Sequence, residues 1–125
     1  HRGNLRTPQL TSLEGDRSFQ RLRKGRGAGS RYLSIRWRPT RKGEAAVGIV
    51  VSRKVGKAVT RNRVRRRLKE ALRELLRDAQ LPEAALHRGE PSFDLVIITR
   101  PEAALASYAQ LRQALKKALE RGKLL

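Results

Sequence analysis

The chain has 125 residues, no cysteine, no methionine, and 30 lysines and arginines against 11 aspartates and glutamates, a formal net charge of +19. That length bounds it to one domain over residues 1–125 with a single modest core, and the charge predicts a polyanionic partner whose binding relieves self-repulsion at low salt. Disulfides and thiolate chemistry are excluded by the missing cysteines; His1 and His87 are too few for a His-rich metal site, and no apolar run reaches the roughly eighteen residues of a membrane span.

In chain order, residues 1–12 are polar and predicted to be loose or extended. A short helix is expected from Glu14 or Asp16 to Lys24, with Leu13, Phe19 and Leu22 toward the protein, ended by a turn at Gly25-Arg-Gly-Ala-Gly29. That glycine run has no lysine and serine in P-loop register. Arg31 to Arg38 alternates: Leu33, Ile35 and Trp37 form a core face, while Tyr32, Ser34, Arg36 and Arg38 face outward. Pro39 to Gly43 reads as a turn, and Ala45 to Ser52 as a second strand. The short connection predicts that these two strands pair antiparallel. A basic helix follows from about Thr60 to Ala79, then a loop from Pro82 to Pro91. Phe93 to Thr99 is apolar on both faces and therefore a central strand. Pro101 to Ser107 reads as a short helical turn, and Tyr108 to Arg121 as an amphipathic helix with Tyr108, Leu111, Ala114, Leu115, Ala118 and Leu119 inward. The order α-β-β-α-β-α predicts an α+β fold, an α/β sandwich in which helices pack on a small mixed sheet.

The densest signal lies between Arg53 and Arg73. Ten cations stand there (Arg53, Lys54, Lys57, Arg61, Arg63, Arg65, Arg66, Arg67, Lys69 and Arg73) against one acid, Glu70. At 100° per residue, Val64, Leu68, Ala71, Leu72, Leu75 and Leu76 share one sector, and Asn62, Arg66, Lys69, Arg73 and Arg77 an adjoining one. Glu70–Arg73 and Glu74–Arg77 are expected to pair on the far side. Thr60 reads as the N-cap. Acids belong in the turn after it, because unpaired N–H groups make a helix start positive; arginines stand there instead. A local rule broken this densely points to function, and arginine forks at a helix start suit phosphate. A solvated basic face is the bland alternative, and the one-sidedness of the charge weighs against it.

Other residues are less specific. Phe19 fits either a core position or a platform for base stacking. Arg36 and Arg38 fit a backbone clamp or mere solubility, and Gly48 suggests close approach or a bulge. The acids are scattered, Asp94 has no evident partner, and no catalytic constellation of acids or histidines forms.

Gly48-Ile-Val-Val-Ser-Arg-Lys-Val-Gly-Lys-Ala-Val-Thr-Arg-Asn-Arg-Val-Arg-Arg-Arg-Leu-Lys-Glu-Ala71 resembles the signature of the bacterial ribonuclease P protein subunit. There a strand leads through a Ser-(Lys/Arg)-Lys-x-Gly-x-Ala-Val loop into an Arg-Asn-Arg helix. The resemblance covers roughly residues 13–121. It implies a ribosomal-S5-domain-2-like sandwich with a left-handed βαβ crossover, against the usual hand, and a fourth strand that the sequence pattern does not place.

The resemblance also implies a protein cofactor of an RNA enzyme. The catalytic RNA would remove the 5′ leader of precursor tRNA, with Mg²⁺ held mainly by RNA and no catalytic residue or metal in the protein. Arg53, Lys54, Lys57, Arg61, Asn62, Arg63, Arg65 and Arg66, with Lys69 and Arg73 further along, would bind the catalytic RNA. The leader would lie in a cleft holding Phe19; a second aromatic is replaced by Leu22 or Arg23, and a strand aromatic by Arg36, with Tyr32 as the other candidate. The implied protein is cytoplasmic, monomeric in the holoenzyme and not membrane-bound. A ribosomal or ribosome-associated rRNA-binding protein is the alternative. A protein nuclease acting alone lacks its acids, and a DNA-binding helix-turn-helix lacks a second helix close behind the basic one.

Overall fold

The computed structural model describes residues 10–12 and 26–125. The expected helix between Glu14 and Lys24, with Phe19, Leu22 and Arg23, lies outside the described residues. The strands are β1 (Leu10–Ser12), β2 (Arg26–Gly29), β3 (Leu33–Pro39), β4 (Ala45–Val50), β5 (Leu86–His87), β6 (Glu90–Pro91) and β7 (Phe93–Thr99). The helices are α1 (Ala58–Arg77) and α2 (Tyr108–Arg121), with short 3₁₀ turns at Arg53–Val55, Glu83–Ala85 and Pro101–Leu105.

Five strands form one mixed sheet in the order β1-β4-β7-β3-β2, and β5 and β6 pair as a separate small hairpin. The expected antiparallel pairing of β3 with β4 does not occur. β7 lies between them, antiparallel to β3 and parallel to β4. The reason is β7's composition: Leu95, Val96 and Ile97 are all buried, so both its faces must be covered and it takes the central place. The chain steps over it through residues 40–44, spanning two strand spacings, about 10 Å. Ser92, fully buried, fastens that step. Its Oγ accepts from Gly43 N at 3.0 Å and donates to Thr40 O at 2.7 Å, while Thr40 N donates to Ser92 O at 3.1 Å.

The glycine run is a second difference. It is not only a turn: Arg26–Gly29 is an edge strand paired antiparallel with β3. Residues Leu10–Ser12 are extended, as anticipated, and pair in parallel with β4. The two short edges are thus strands that the sequence pattern did not place, and the β5–β6 hairpin lies in the stretch it read as a loop. Gly48 sits in unbroken register opposite Val96, so it marks no bulge.

The core occupies one side of the sheet. Leu33, Ile35 and Trp37 meet Phe93, Leu95 and Ile97 there, under Val64, Leu68, Leu72 and Leu76 of α1 and Leu111, Leu115 and Leu119 of α2. These are the residues that period-2 and period-3.6 patterning select. α2 begins with a capping box: Gln110 N donates to Ser107 Oγ at 3.1 Å, and Ser107 N donates to Gln110 Oε1 at 2.9 Å. By strand alternation, the opposite face carries Ser34, Arg36 and Arg38, Ala46, Gly48 and Val50, and Asp94, Val96 and Ile98. β4, α1 and β7 make the crossover between adjacent parallel strands, and this delivers the start of α1 to the sheet's edge beside the ends of both strands.

Candidate nucleic-acid interface

Between β4 and α1 the backbone is tightly specified. Val51 and Val55 are buried and tie down the 3₁₀ turn Arg53–Val55, which leaves Arg53, Lys54 and Lys57 in solvent. Gly56 has φ 151° and ψ −164°, a conformation open to glycine and strained for other residues. A Cβ there would also approach Thr60 Cβ to 3.1 Å. Thr60 is therefore not the N-cap. The helix starts two residues earlier, at Ala58, with Lys57 as an N-cap that makes no side-chain hydrogen bond. The first turn holds no acid. Its N–H groups and the neighbouring Lys57 and Arg61 form an anion-attracting end without a covering carboxylate. Gly56→Ala is expected to cost about 1–3 kcal/mol, read as a lower thermal midpoint, and to weaken anion binding by rotating Lys57 and Arg53 relative to the helix.

Along α1 the apolar side is as expected: Val64, Leu68, Ala71, Leu72, Leu75 and Leu76 are buried. Asn62, Arg66, Lys69, Arg73 and Arg77 form one exposed stripe. Among the described residues Arg66, Lys69 and Arg73 take part in no ion pair. Arg61, Arg63, Arg65 and Arg67 are half-buried and spread to both sides. Arg65 Nη1 donates to Asn62 Oδ1 at 3.1 Å. Arg67 Nη1 donates to Ala106 O at 3.1 Å, and Arg63 Nη2 to Ala104 O at 3.4 Å. Part of each of these two guanidiniums thus serves the fold. Sequence patterning does not show this, because the carbonyls lie some forty residues away along the chain.

The pairs expected within α1 give way to a bridge between helices. Glu74 Oε1 accepts from Arg112 Nε at 3.0 Å and from Tyr108 Oη at 2.8 Å, while Arg77 pairs with Asp78. The Tyr108 hydrogen bond, then Arg112, hold the Glu74 carboxyl below its ordinary range. Partial burial, then the bond to Glu74, push the Tyr108 hydroxyl up to about 12. Glu74 is thus drawn toward α2 rather than toward the exposed stripe.

On the second sheet face Arg36 is exposed near the centre of β3. Val50 and Ile98, register partners, are 37% and 39% exposed. Arg38 is not free: its Nη2 contacts Asp94 Oδ2 at 3.1 Å, with Lys42 Nζ 3.6 Å from Oδ1. Asp94, fully buried, therefore has the partners that the sequence did not reveal. Tyr32 is half-buried against the core rather than projecting freely, with the Arg31 guanidinium 5.6 Å from its ring centre. Tyr32 and Arg36 are separated by most of a strand and do not form one compact contact. Phe19 and Arg23 lie outside the described residues. Among those described, no group of three or more His, Cys, Asp or Glu side chains could hold a metal ion, and no helix is long and apolar enough to cross a membrane.

A family profile described as Ribonuclease P matches residues 8–123. A ribonuclease P protein component of Thermus brockianus is 48% identical over 117 residues, covering 94% of this chain and 63% of the relative. That of Clostridioides difficile is 36% identical over 110 residues, covering 87% of this chain and 89% of the relative. The chain thus spans 63% of the length of the Thermus brockianus relative and nearly all of the clostridial one. Among solved structures, the RNase P protein of Staphylococcus aureus superposes with a TM-score of 0.75 at 22% identity, covering 93% of this chain and 98% of that one. The RNase P protein of Thermotoga maritima does so at 0.65 and 24%, covering 85% and 92%. With the profile spanning nearly its whole length and a clostridial relative matched almost end to end, the chain belongs to the ribonuclease P protein family.

Proposed function

We propose that this protein is the protein subunit of a ribonuclease P ribonucleoprotein, in which the RNA carries the catalytic centre. The observation that supports it most is the exposed stripe of α1, continuous with the basic turn before it, on a chain of this family. Arg66, Lys69 and Arg73 on the helix, and Arg53, Lys54, Lys57, Arg61 and Arg65 around its start, would hold phosphates of the catalytic RNA. Asn62 can accept or donate beside them, and Arg63 contributes what its bond to Ala104 leaves free.

The single-stranded 5′ leader of precursor tRNA would lie on the second sheet face. Gly48 leaves the middle of that face without a side chain, Val50 and Ile98 supply an apolar floor, and Arg36 a cation. A single strand needs both apolar surface and cations. The Phe19 segment, with Arg23, would form the other wall. The protein's charge screens the repulsion between two RNAs, which leaves fewer Mg²⁺ ions needed to bring them together. Mg²⁺ itself would be held by RNA, as the resemblance to the family implies; of the described acids, Asp94 is engaged by Arg38 and Lys42, and Glu74 by Arg112 and Tyr108. In this role the protein acts in the cytoplasm, as one copy per holoenzyme.

The test is cleavage of precursor tRNA by a bacterial ribonuclease P RNA at low magnesium, with and without the protein. Stimulation is expected, with mature 5′ ends as product. Absence of stimulation together with tight rRNA binding would move the assignment to a ribosome-associated protein. Cleavage by the protein without RNA would move it to a protein nuclease.

A further inference from the structure

Leu105 is 94% exposed and Val59 77% exposed. Single exposed apolar residues need no explanation, but Leu105 is held in its position. It ends the 3₁₀ turn Pro101–Leu105. The carbonyls on either side of it, those of Ala104 and Ala106, accept from Arg63 at 3.4 Å and Arg67 at 3.1 Å. Ala103 and Ala106 are buried and anchor the turn from below. The guanidiniums thus fix a short segment against α1 with its leucine outward. Val59 stands one helical turn before Arg63 on the same side of α1, and the Arg53–Val55 turn packs against Pro101–Leu105.

The charges in this neighbourhood decide what fits. Arg53, Lys54, Lys57 and Arg100 are exposed, Arg61 and Arg65 half-buried, and Glu102 is the one acid of the turn. Such a field repels a second copy of this +19 chain and attracts a polyanion. Phosphates alone give a leucine and a valine nothing to bury against. RNA offers base and ribose faces beside its phosphates wherever a nucleotide is unstacked.

We infer that the Pro101–Leu105 turn, clamped to α1 by Arg63 and Arg67, is an apolar contact for RNA. Leu105 and Val59 pack on the face of an unpaired nucleotide whose phosphates the surrounding cations hold. This rests on the reading of the protein as a ribonuclease P subunit and adds a shape-dependent element to a surface otherwise read as purely electrostatic. A regular duplex buries its base faces and would not satisfy it.

The experiment measures the affinity of a bacterial ribonuclease P RNA for the intact protein, for Leu105→Ser and for the Val59→Ser/Leu105→Ser double variant, over a range of salt. The double variant is expected to bind about tenfold more weakly, the equivalent of most of one buried leucine. The slope of log affinity against log salt should stay unchanged, because no phosphate contact is removed. Unchanged thermal midpoints would show that the fold is intact, as such exposed side chains predict; if serine perturbs the turn, Leu105→Ala replaces it. Affinity within about twofold of the parent protein, or a slope lowered by about one, overturns the inference. So does a free protein that sediments as a dimer and dissociates on Leu105→Ser, which would assign the surface to a second copy. Failure of the parent protein to bind the RNA at all is a separate result, seen before any variant, and sinks the subunit reading itself.

Discussion

The triple variant Arg66→Ala/Lys69→Ala/Arg73→Ala is expected to bind a bacterial ribonuclease P RNA about 100-fold more weakly at moderate salt, taking about 1 kcal/mol for each lost phosphate contact. The slope of log affinity against log salt should fall by about three, since each neutralised phosphate contributes close to one unit. These three side chains lie on one exposed stripe and take part in no ion pair among the described residues, so their removal leaves no stranded partner. Alanine is also the stronger helix former, which predicts an unchanged or slightly higher thermal midpoint. That separation of fold from binding is why Arg63 is left out: its bond to Ala104 O would confound the result. Filter binding across a salt titration, with thermal melting by circular dichroism, checks both halves. If affinity and slope stay as in the parent protein, the RNA-binding surface is not on this flank of α1.

Much of the cationic face of α1 is legible in the sequence because helices are local. The spacing of Val64, Leu68, Ala71, Leu72, Leu75 and Leu76 fixes which side of α1 is buried, and therefore which side shows cations. The run Tyr108–Arg121 is read correctly for the same reason, and its Ser107-x-x-Gln110 start was an available capping signal. What escapes is long-range. The choice between β3–β4 pairing and insertion of β7 depends on which strand needs covering on both faces, and on Ser92 fastening a loop some fifty residues earlier. The helix start escapes because Thr60 is a better cap than Lys57 by composition, yet Gly56 sets the backbone direction first. Asp94 and Glu74 find their partners across the fold, on β3 and its following loop and on α2 respectively. The candidate site is thus readable where it is helical and hidden where tertiary contacts take some of its arginines for structural bonds.

Trp37→Ala is expected to destabilise the protein by about 3–5 kcal/mol, a large share of the roughly 5–15 kcal/mol that holds a domain together. Trp37 is fully buried and meets Phe93 edge to face, ring centres 6.4 Å apart at 81°. Its Nε1 donates to Gly122 O at 2.7 Å, a bond that fastens the end of α2 to the sheet. Alanine would open a cavity between β3 and α2 and leave that carbonyl unpaired. Trp37→Phe separates the two effects, because it keeps most of the ring and loses the donor; a loss of about 1–2 kcal/mol is expected. Trp37 is the sole tryptophan, so unfolding must be followed by circular dichroism rather than by its own fluorescence. Loss of stability should deepen at low salt, where +19 charges repel unscreened. Added RNA should restore much of it: a ligand that binds only the folded chain at 100 times its Kd returns about 2.7 kcal/mol. Recovery of the transition by ribonuclease P RNA would join the core to the interface in one measurement. A Trp37→Ala protein as stable as its parent would show that the end of α2 is not docked on β3.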